Sequence, residues 1–522
     1  MLFNSATFLF LFLPATIVIF FLLLRTERRG LVLAWLLLAS VAFYLSWQPW
    51  MIVVPAGSIA ANFLLARLLS RPSVLRPQRL ALLWGGIVLN ISLLVYYKAV
   101  LSPWFFSADA RSAAFLTSAD ILIPLGISFI TFQQIAFLVD CYRGKIERPR
   151  LIEYCLFILF FPQLVIGPIV HYRELVPQFR SAEFMRLNWD NITFGGVILI
   201  IGLFKKVVIA DSIAPYADEV FASVARGESI SLLDAWFGAV AFQFQLYFDF
   251  SGYADMAIGL ARLCNIHLPI NFDSPLKARN RFDLWQRWHI SFTVFMRQYV
   301  FMPLVRNRWA PVPVSLAIVC TGLLSGLWHG FGSTFLLWGG LQGLLLLGIH
   351  YRNHLLPTSR YTGFVPTRSM QIMSTFFITL LLSILFRSAD LASAWRFIAT
   401  LFNGDLLLAA GSPVVDRVLA IASHLGLNAS GLKRGATLIE WQQLLMLLAA
   451  GCVAWGLPNT RQLLGTHWRA LDQRLQPPPE HVGWLPTVRL QLNLRWAWLL
   501  GAMLVASLLL LERSTRFVYF QF

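Results

Sequence analysis

Long apolar stretches recur from one end of this chain to the other, and its charged residues gather in the connections between them. A helix of about 17 to 25 apolar residues spans the hydrocarbon core of a bilayer. The composition agrees, since 58% of the 522 residues are hydrophobic and only 13% are charged, whereas an ordinary soluble domain carries about a quarter charged residues. The pattern excludes a soluble enzyme and predicts an all-α polytopic membrane protein with roughly a dozen membrane segments.

The apolar stretches define the predicted spans. They cover residues 6–24, 31–47, 50–66, 80–101, 120–139, 193–210, 232–261, 372–387, 440–456 and 495–512.

The distribution of charge predicts the orientation. The formal charge of +17 would suggest nucleic acid in a soluble chain, but the basic residues lie in alternate connections, where they indicate the cytoplasmic side. These connections follow the first, third and fifth spans, with Arg25, Arg28, Arg29, Arg67, Arg71, Arg76, Arg79, Arg143, Lys145, Arg148 and Arg150. The connection 102–120 is poor in charge and residues 211–234 are acidic, so we expect both to face outward. Continuing this alternation of sides along the chain places 262–308 inside and both termini outside.

Two regions do not fit simple spans. Residues 151–170 contain Pro162, Gly167 and Pro168, which interrupt a helix, and a re-entrant segment is predicted there. Residues 285–350 place Arg, Trp and His beside short glycine-rich apolar helices, and irregular backbone at membrane depth persists only inside protein or along a water-filled cavity. The active centre is therefore predicted in 285–350.

The five cysteines are scattered, odd in number and without a C-x-x-C pair. Neither a disulfide framework nor a metal site is predicted.

His329 is the first candidate for chemistry. It follows glycines at a fourfold spacing, Gly322 and Gly326, which allow close helix approach and leave the imidazole in apolar surroundings. A packed histidine bonded to a carbonyl is the alternative, but an ionisable side chain within the membrane marks a functional site by default.

His289 is the second candidate. In the segment that precedes it, Asp283 and Arg287 are spaced to pair along one face of a helix, with Trp285 and His289 on the adjacent face. The alternative is an interfacial helix whose aromatic and basic residues meet the lipid surface.

Carboxylates also occur within the span 232–261. Asp249 and Asp255 are six positions apart, so they cannot share a helical face and a carboxylate dyad is not expected. We expect Asp249 to bond across helices and hold a wall of the site.

Four motifs resemble the membrane-bound O-acyltransferases, in their bacterial polysaccharide-modifying branch. They are Gln245-Leu-Tyr-Phe-Asp-Phe-Ser-Gly-Tyr-Ala-Asp-Met-Ala-Ile-Gly-Leu-Ala261, Asn271-Phe-Asp-Ser-Pro-Leu-Lys-Ala-Arg-Asn280, Trp288-His-Ile-Ser291 and Leu327-Trp-His-Gly330. The resemblance covers nearly the whole chain, as one domain 1–522 with a motif core at about 240–350. It implies a helical bundle with a central tunnel and re-entrant segments.

The resemblance also implies roles for single residues. The histidine that matches His329 is catalytic, and the one that matches His289 is a second important polar residue on the cytoplasmic side of the tunnel. The same motifs supply five candidate substrate contacts: Trp288, Arg287, Asp283, Asp249 and Tyr253. Relatives carry an acid where this chain has Gln298, so an ion pair at that position is in doubt.

The tail 513–522 ends in Phe517-Val-Tyr-Phe-Gln-Phe522. An interfacial aromatic anchor is one interpretation. The tail also resembles the F-x-Y-x-x-F ending of relatives, in which the tyrosine is implicated as a transient acyl carrier, so Tyr519 is a candidate catalytic nucleophile.

The resemblance implies a multi-pass protein of the bacterial inner membrane that takes an acetyl group from a cytoplasmic thioester, acetyl-CoA or another acyl thioester, with no bound cofactor. The implied partners are a periplasmic SGNH-type acetyltransferase and the machinery of polysaccharide synthesis and export, with exopolysaccharide O-acetylation as the outcome. Two alternatives stay open: D-alanyl transfer to teichoic acid, and a transporter with a histidine site at the membrane midplane.

Overall fold

The computed structural model describes most of the chain. The described residues are 1–47, 49–71, 73–100, 124–306, 312–355, 367–403, 440–465, 481–482, 485–486 and 488–513.

Helices account for nearly all of the described structure. The α-helices are α1 Leu13–Leu24, α2 Arg29–Leu45, α3 Val53–Leu69, α4 Arg76–Val100, α5 Ile127–Tyr142, α6 Leu151–Leu159, α7 Phe161–Leu164, α8 Tyr172–Arg180, α9 Trp189–Leu203, α10 Asp211–Ala225, α11 Leu232–Leu263, α12 Arg281–Arg287, α13 Ile290–Phe295, α14 Met302–Val305, α15 Val314–His329, α16 Ser333–Leu355, α17 Arg368–Arg387, α18 Leu391–Asn403, α19 Trp441–Gly451, α20 Thr460–Leu464 and α21 Leu494–Leu509. One antiparallel ribbon pairs β1 His481–Val482 with β2 Leu485–Pro486.

Short turns of other helix types extend several of these elements. The π-helical segments are Phe8–Phe12, Phe204–Ala210, Met296–Phe301 and Cys452–Gly456, and the 3₁₀ segments are Pro49–Ile52, Glu183–Met185, Pro275–Lys277 and Leu511–Arg513.

The helices confirm the predicted polytopic class. Five described helical segments are long and apolar enough to cross a membrane: Pro49–Leu69, Arg76–Lys98, Trp189–Ala225, Ser333–Arg352 and Arg368–Arg387. Shorter apolar helices accompany them, among them Phe8–Leu24 and Arg29–Leu45. Each predicted span coincides with an observed helix. Most boundaries differ by a few residues, but the helix within 120–139 begins at Ile127 and the one within 193–210 runs past residue 210.

One predicted connection is instead helical. We expected residues 211–234 to follow a span that ends at 210, but α9, the π-helical segment Phe204–Ala210 and α10 run on without a break to Ala225. The apolar side of α10 is buried, with Ile213, Ala217 and Val220 at 3% exposure or less. α10 is therefore an amphipathic helix whose less buried side carries Asp218 and Glu219, and these acidic residues led to the prediction of a connection.

The interruption predicted within 151–170 is present. α6 ends at Leu159, Phe160 adopts φ −50° and ψ 109°, and the single turn α7 follows. Nearly all of the segment is buried. Surrounding protein can therefore satisfy the backbone groups that the broken helix releases.

The centre of the bundle is α11, whose 32 residues are buried along most of their length. It crosses α9 at paired glycines. A Cβ on Gly202 would lie 2.7 Å from the carbonyl oxygen of Gly252, and a Cβ on Gly195 would lie 3.0 Å from that of Gly259. Only small residues allow the two backbones this approach.

The hairpin of α15 and α16 is packed in the same way. A Cβ on Gly322 would lie 2.6 Å from the carbonyl oxygen of Gly339, and one on Gly343 would lie 3.0 Å from the Cα of Val319. The close approach predicted from the glycine spacing is confirmed. It brings the end of α15, where His329 lies, against the first turns of α16.

Candidate active site

His329 is the last residue of α15, because Gly330 leaves the helix with φ −176° and ψ 156°. The side chain is buried, at 7% exposure. Trp338 of α16 and Phe386 of α17 approach the imidazole edge-on, with ring centroids 5.2 and 4.9 Å away. Two neighbouring helices therefore hold the ring of His329 at the end of its own helix.

A lysine caps that helix end. The Nζ atom of Lys98, at the end of α4, donates to the carbonyl oxygens of Trp328 and His329, the latter at 3.0 Å. Nζ also lies 5.5 Å from the centroid of the Trp328 ring. The last carbonyls of a helix have no partner within it and carry partial negative charge, so the ammonium both satisfies and neutralises them.

His289 lies outside any helix, contrary to our expectation. α12 ends at Arg287, and His289 adopts φ 43° and ψ 54° before α13 begins at Ile290. The predicted shared helical face of Trp285 and His289 is therefore wrong. So is the interfacial alternative, since His289 is 1% exposed and its ring contacts Phe250 and Phe292 at centroid distances of 4.7 and 5.1 Å.

A hydrogen-bond chain sets the orientation of His289. The backbone N–H and the hydroxyl of Ser291 both donate to Oδ1 of Asn271, at 3.3 and 2.9 Å. The hydroxyl oxygen of Ser291 accepts in turn from the N–H of Ile169 at 2.9 Å. Because a backbone N–H can only donate, the Asn271 atom is the amide oxygen. His289 Nδ1, 3.1 Å from that oxygen, must carry the proton, which leaves the lone pair on Nε2.

His289 and His329 line one cavity. Its walls are mostly aromatic and aliphatic. The lining residues are Gln243, Leu246, Arg281, Leu284, Trp285, Trp288, His289, Phe292, His329, Trp338, Gln342, Thr379, Leu382, Ser383 and Phe386. None of these residues is a carboxylate, and Arg281 is the one guanidinium among them.

Several buried polar atoms around this cavity have no hydrogen-bond partner in the described part of the protein. They are the side-chain amide of Gln243, Nε of Arg281, Nε1 of Trp285 and Nε2 of His289. Buried polar groups in proteins are nearly always paired. Unpaired groups that line a cavity are suited to a polar ligand inside it.

The predicted substrate contacts divide between the cavity and other places. Trp288 lines the cavity. Asp283 and Arg287 form the expected ion pair at 2.6 Å, and Arg287 also donates to the carbonyl oxygen of Asp273. Neither Asp283 nor Arg287 lines the cavity, so the pair instead holds the short helix that precedes His289.

Asp249 and Tyr253 also lie away from the cavity lining. Asp249 forms an ion pair with Lys206 at 2.8 Å, which is the bond across helices that we expected. Tyr253 donates its hydroxyl hydrogen to Oδ1 of Asn4 at 2.8 Å. Asp255 binds Lys205 at 2.6 Å. The two carboxylates thus have separate lysine partners, and the expectation that they form no dyad is confirmed.

The segment that holds Gln298 bonds to a carboxylate from another helix. The neighbouring Tyr299 donates to Oδ2 of Asp140 at 3.2 Å, and that oxygen also accepts from Nε of Arg173 at 2.8 Å. A carboxylate from α5 therefore bonds to the π-helical segment that holds Gln298.

Two further expectations concern metals and the tail. No cluster of three or more His, Cys, Asp or Glu residues that could hold a metal occurs within the described ranges. Tyr519 lies outside the described residues.

Several residues of the site were missed by sequence reasoning. Asn271 and Arg281 lie in or beside quoted motifs, but nothing in their spacing showed which atoms they would meet. Lys98 and Lys206 carried a usable signal, because each is a lysine within an apolar span, and an ionisable group there is costly unless paired.

Comparison with known proteins defines the class. The family model for MBOAT, the membrane-bound O-acyltransferase family, matches residues 135–389, a range that contains α11, both histidines and all of the cavity lining. The chain belongs to the membrane-bound O-acyltransferase family and is an O-acyltransferase.

Individual relatives are similar over most of the chain. A peptidoglycan O-acetyltransferase from Helicobacter pylori is 37% identical over 422 residues, covering 76% of this chain and 79% of the relative. A probable alginate O-acetylase AlgI from Azotobacter vinelandii is 33% identical over 419 residues, covering 78% and 79%. A teichoic acid D-alanyltransferase from Bacillus subtilis is 28% identical over 255 residues, covering 46% and 63%.

Proposed function

We propose that this O-acyltransferase takes an acetyl group from a cytoplasmic thioester and passes it across the bacterial inner membrane, where the group finally esterifies a polysaccharide. The observation that carries the proposal is the placement of two buried histidines on one largely apolar cavity in a member of this family. A thioester donor such as acetyl-CoA is bulky and charged, so only its acyl group needs to cross the bilayer.

The proposed chemistry is acyl transfer with histidine as general base. His329 takes the proton of the accepting hydroxyl as its oxygen attacks the thioester carbonyl carbon, a role suited to imidazole. The C–O bond forms, the C–S bond breaks with its electron pair on sulfur, and the proton then passes by way of solvent to the thiolate. The unpaired amide of Gln243 and Nε1 of Trp285 are available to hydrogen-bond the acyl group or its carrier.

Tyr519 is the proposed intermediate acceptor. Its phenolic oxygen takes the acetyl group as an aryl ester, which is more reactive than an alkyl ester because phenol has a pKa of about 10. The ester then passes the group to a periplasmic SGNH-type acetyltransferase that works with the polysaccharide machinery. The basic connections favour an orientation with both termini outside, and this supports a role for the tail on the side where that partner acts.

Acetylation is favoured over D-alanylation as the reaction. The relatives named as acetylating enzymes align with more than three quarters of this chain, whereas the D-alanyltransferase aligns with 46%. The acceptor polymer is proposed as an exopolysaccharide, by similarity to the alginate O-acetylases, with peptidoglycan as the second candidate because of the relative at 37% identity.

His329→Gln tests the proposed chemistry. The variant is expected to reach the membrane at normal levels while polysaccharide-bound acetate falls by about 100-fold or more, the usual contribution of a general base. To identify the polymer, exopolysaccharide and peptidoglycan are purified separately from a deletion strain and from its complemented control. The acetate that mild alkali releases from each is measured, and the polymer that loses acetate in the deletion strain is the acceptor. Normal acetylation of both polymers in the deletion strain would refute the proposed function.

A further inference from the structure

Arg281 places a positive charge inside the cavity without a carboxylate partner among the described residues. Its side chain is buried, at 4% exposure. One terminal nitrogen donates to Oγ1 of Thr379 at 2.6 Å and the other to Oε1 of Gln342. Both partners are neutral, and Nε has no partner in the described structure.

The partners of Arg281 place it deep in the bundle. Thr379 lies about 16 Å along α17 from Arg368 and about 12 Å from Arg387, at a rise of about 1.5 Å per residue. Gln342 lies about 14 Å along α16 from its first residue on the same basis. The guanidinium therefore lies beside the middle parts of α16 and α17 rather than at either end of them.

Two other buried cations of this protein pair with carboxylates. Lys206 pairs with Asp211 and Asp249 at 2.7 and 2.8 Å, and Arg387 pairs with Asp218. A buried charge without a partner is costly and marks a functional position in a membrane protein. The charge of Arg281, on a cavity wall with a free N–H, is therefore suited to an anion that the reaction itself produces.

The distance between Arg281 and His329 indicates which anion of the reaction Arg281 can bind. Trp338 contacts the ring of His329, and Gln342 lies about one helical turn, about 6 Å, further along α16. Phe386 also contacts His329, and Thr379 lies about 10 Å back along α17. In a productive complex, the base lies within about 3 Å of the attacking hydroxyl oxygen, and the reacting carbon lies about 3 Å beyond that oxygen. The departing sulfur, which is bonded to that carbon, therefore lies about 6 to 8 Å from the base. The oxygen of the tetrahedral intermediate would lie nearer to His329 than the sulfur does.

We propose that Arg281 binds the thiolate sulfur that leaves the acyl thioester. This inference rests on the proposed function, since it needs a thioester donor. As the hydroxyl oxygen bonds to the carbonyl carbon, the C–S bond breaks and its electron pair stays on sulfur, beside the guanidinium. The proton from the hydroxyl stays on His329 while the thiolate departs; the imidazolium then loses it to solvent and the thiolate takes up a proton from solvent, so the product ends as a neutral thiol and Arg281 regains its resting state.

The test compares coenzyme A with desulfo-coenzyme A as competitive inhibitors of the purified full-length protein in lipid nanodiscs, assayed with acetyl-CoA. A thiol of this class has a pKa of about 8.5. Wild type is expected to bind coenzyme A more tightly than desulfo-coenzyme A. The ratio of the inhibition constant of desulfo-coenzyme A to that of coenzyme A is expected to rise to about tenfold between pH 7 and pH 9, as thiolate forms. Arg281→Gln is expected to bring the ratio close to one at every pH, and Arg281→Lys to keep part of the rise.

Matched controls separate binding of sulfur from packing. Arg387→Gln also removes a buried guanidinium, but one that pairs with Asp218, and is expected to leave the ratio as in wild type. A wild-type ratio that does not change with pH would overturn the inference even if Arg281→Gln does not fold. So would a folded Arg281→Gln that keeps the wild-type rise. Absence of any thioester-dependent transfer by wild type would instead count against the proposed function.

Discussion

The ammonium nitrogen of Lys98 lies 3.0 Å from the backbone carbonyl oxygen of His329, across a separation of 231 positions in the chain. The contact joins the end of α4 to the end of the helix that presents the proposed base. It fixes the last turn of α15 by a hydrogen bond from a charged donor, which is stronger than one between neutral groups.

Lys98→Met removes this cap and is expected to lower kcat by about tenfold or more, comparable to the loss of one hydrogen bond to a charged group. Lys98→Arg keeps charge and donors and is expected to recover part of the rate. The measurement is acetyl transfer by purified protein at saturating donor. Lys277→Met is the matched control, because Lys277 also donates to a backbone carbonyl, that of Leu457 at 2.7 Å, but not to the end of the helix that holds His329. A wild-type kcat in Lys98→Met would show that the cap is dispensable.

Asn271→Leu tests the orientation of His289. Without the amide oxygen, Nδ1 loses its acceptor and the two ring nitrogens are free to exchange the proton, so the lone pair on Nε2 is no longer fixed. We expect acetyl transfer to fall by about tenfold or more, with the protein still present in the membrane. Asn271→Asp retains an acceptor oxygen and is expected to keep more activity than Asn271→Leu. Equal activity of Asn271→Leu and wild type would contradict the assigned role.

Gly322→Ala tests the close packing that positions His329. Its Cβ would lie 2.6 Å from the carbonyl oxygen of Gly339, so α15 and α16 must separate. Overpacking of this kind costs about 1 to 3 kcal/mol, and we expect a lower melting temperature in detergent together with reduced activity. Gly348→Ala, in α16, is the control because nothing lies within 4 Å of its added Cβ. A Gly322→Ala variant as stable and active as Gly348→Ala would contradict the packing argument.

Tyr519→Phe separates the acyl carrier from the aromatic anchor. The ring, and so any anchoring at the membrane interface, is retained, while the nucleophilic oxygen is lost. The carrier role predicts loss of polysaccharide acetylation at normal protein level, and an acetyl adduct on Tyr519 in the C-terminal peptide of wild type, detected by mass spectrometry after incubation with acetyl donor. Full polysaccharide acetylation by Tyr519→Phe would exclude the acyl-carrier role and leave membrane anchoring as the role of this tyrosine.

The class of protein and most of its spans could be predicted from local pattern. The recurring apolar stretches required membrane helices, because backbone groups in a bilayer must be satisfied within the segment. The glycines at positions 322 and 326 predicted a close helix contact, which the structure confirms. His329 was identified both as an ionisable residue at membrane depth and by its motif.

Other features depended on where distant segments meet. The end of α12 before His289 was not predicted, since the spacing of Asp283 and Arg287 suits a helix that continues beyond them. The left-handed conformation of His289 is held by its contact with Asn271, 18 positions away. Helical periodicity describes only neighbours three or four positions apart, so it could not reveal that bond.

The sequence by itself determined the all-α membrane architecture, the candidate histidines and the motifs of the family, because hydrophobic length, glycine spacing and local motifs are properties of short segments. Only the tertiary structure decided that Lys98 caps the helix of His329, that Asn271 orients His289, and that Arg281 faces the same cavity with neutral partners. Each of these contacts joins residues from separate helices or loops, and their geometry follows from how the whole bundle packs rather than from any one segment.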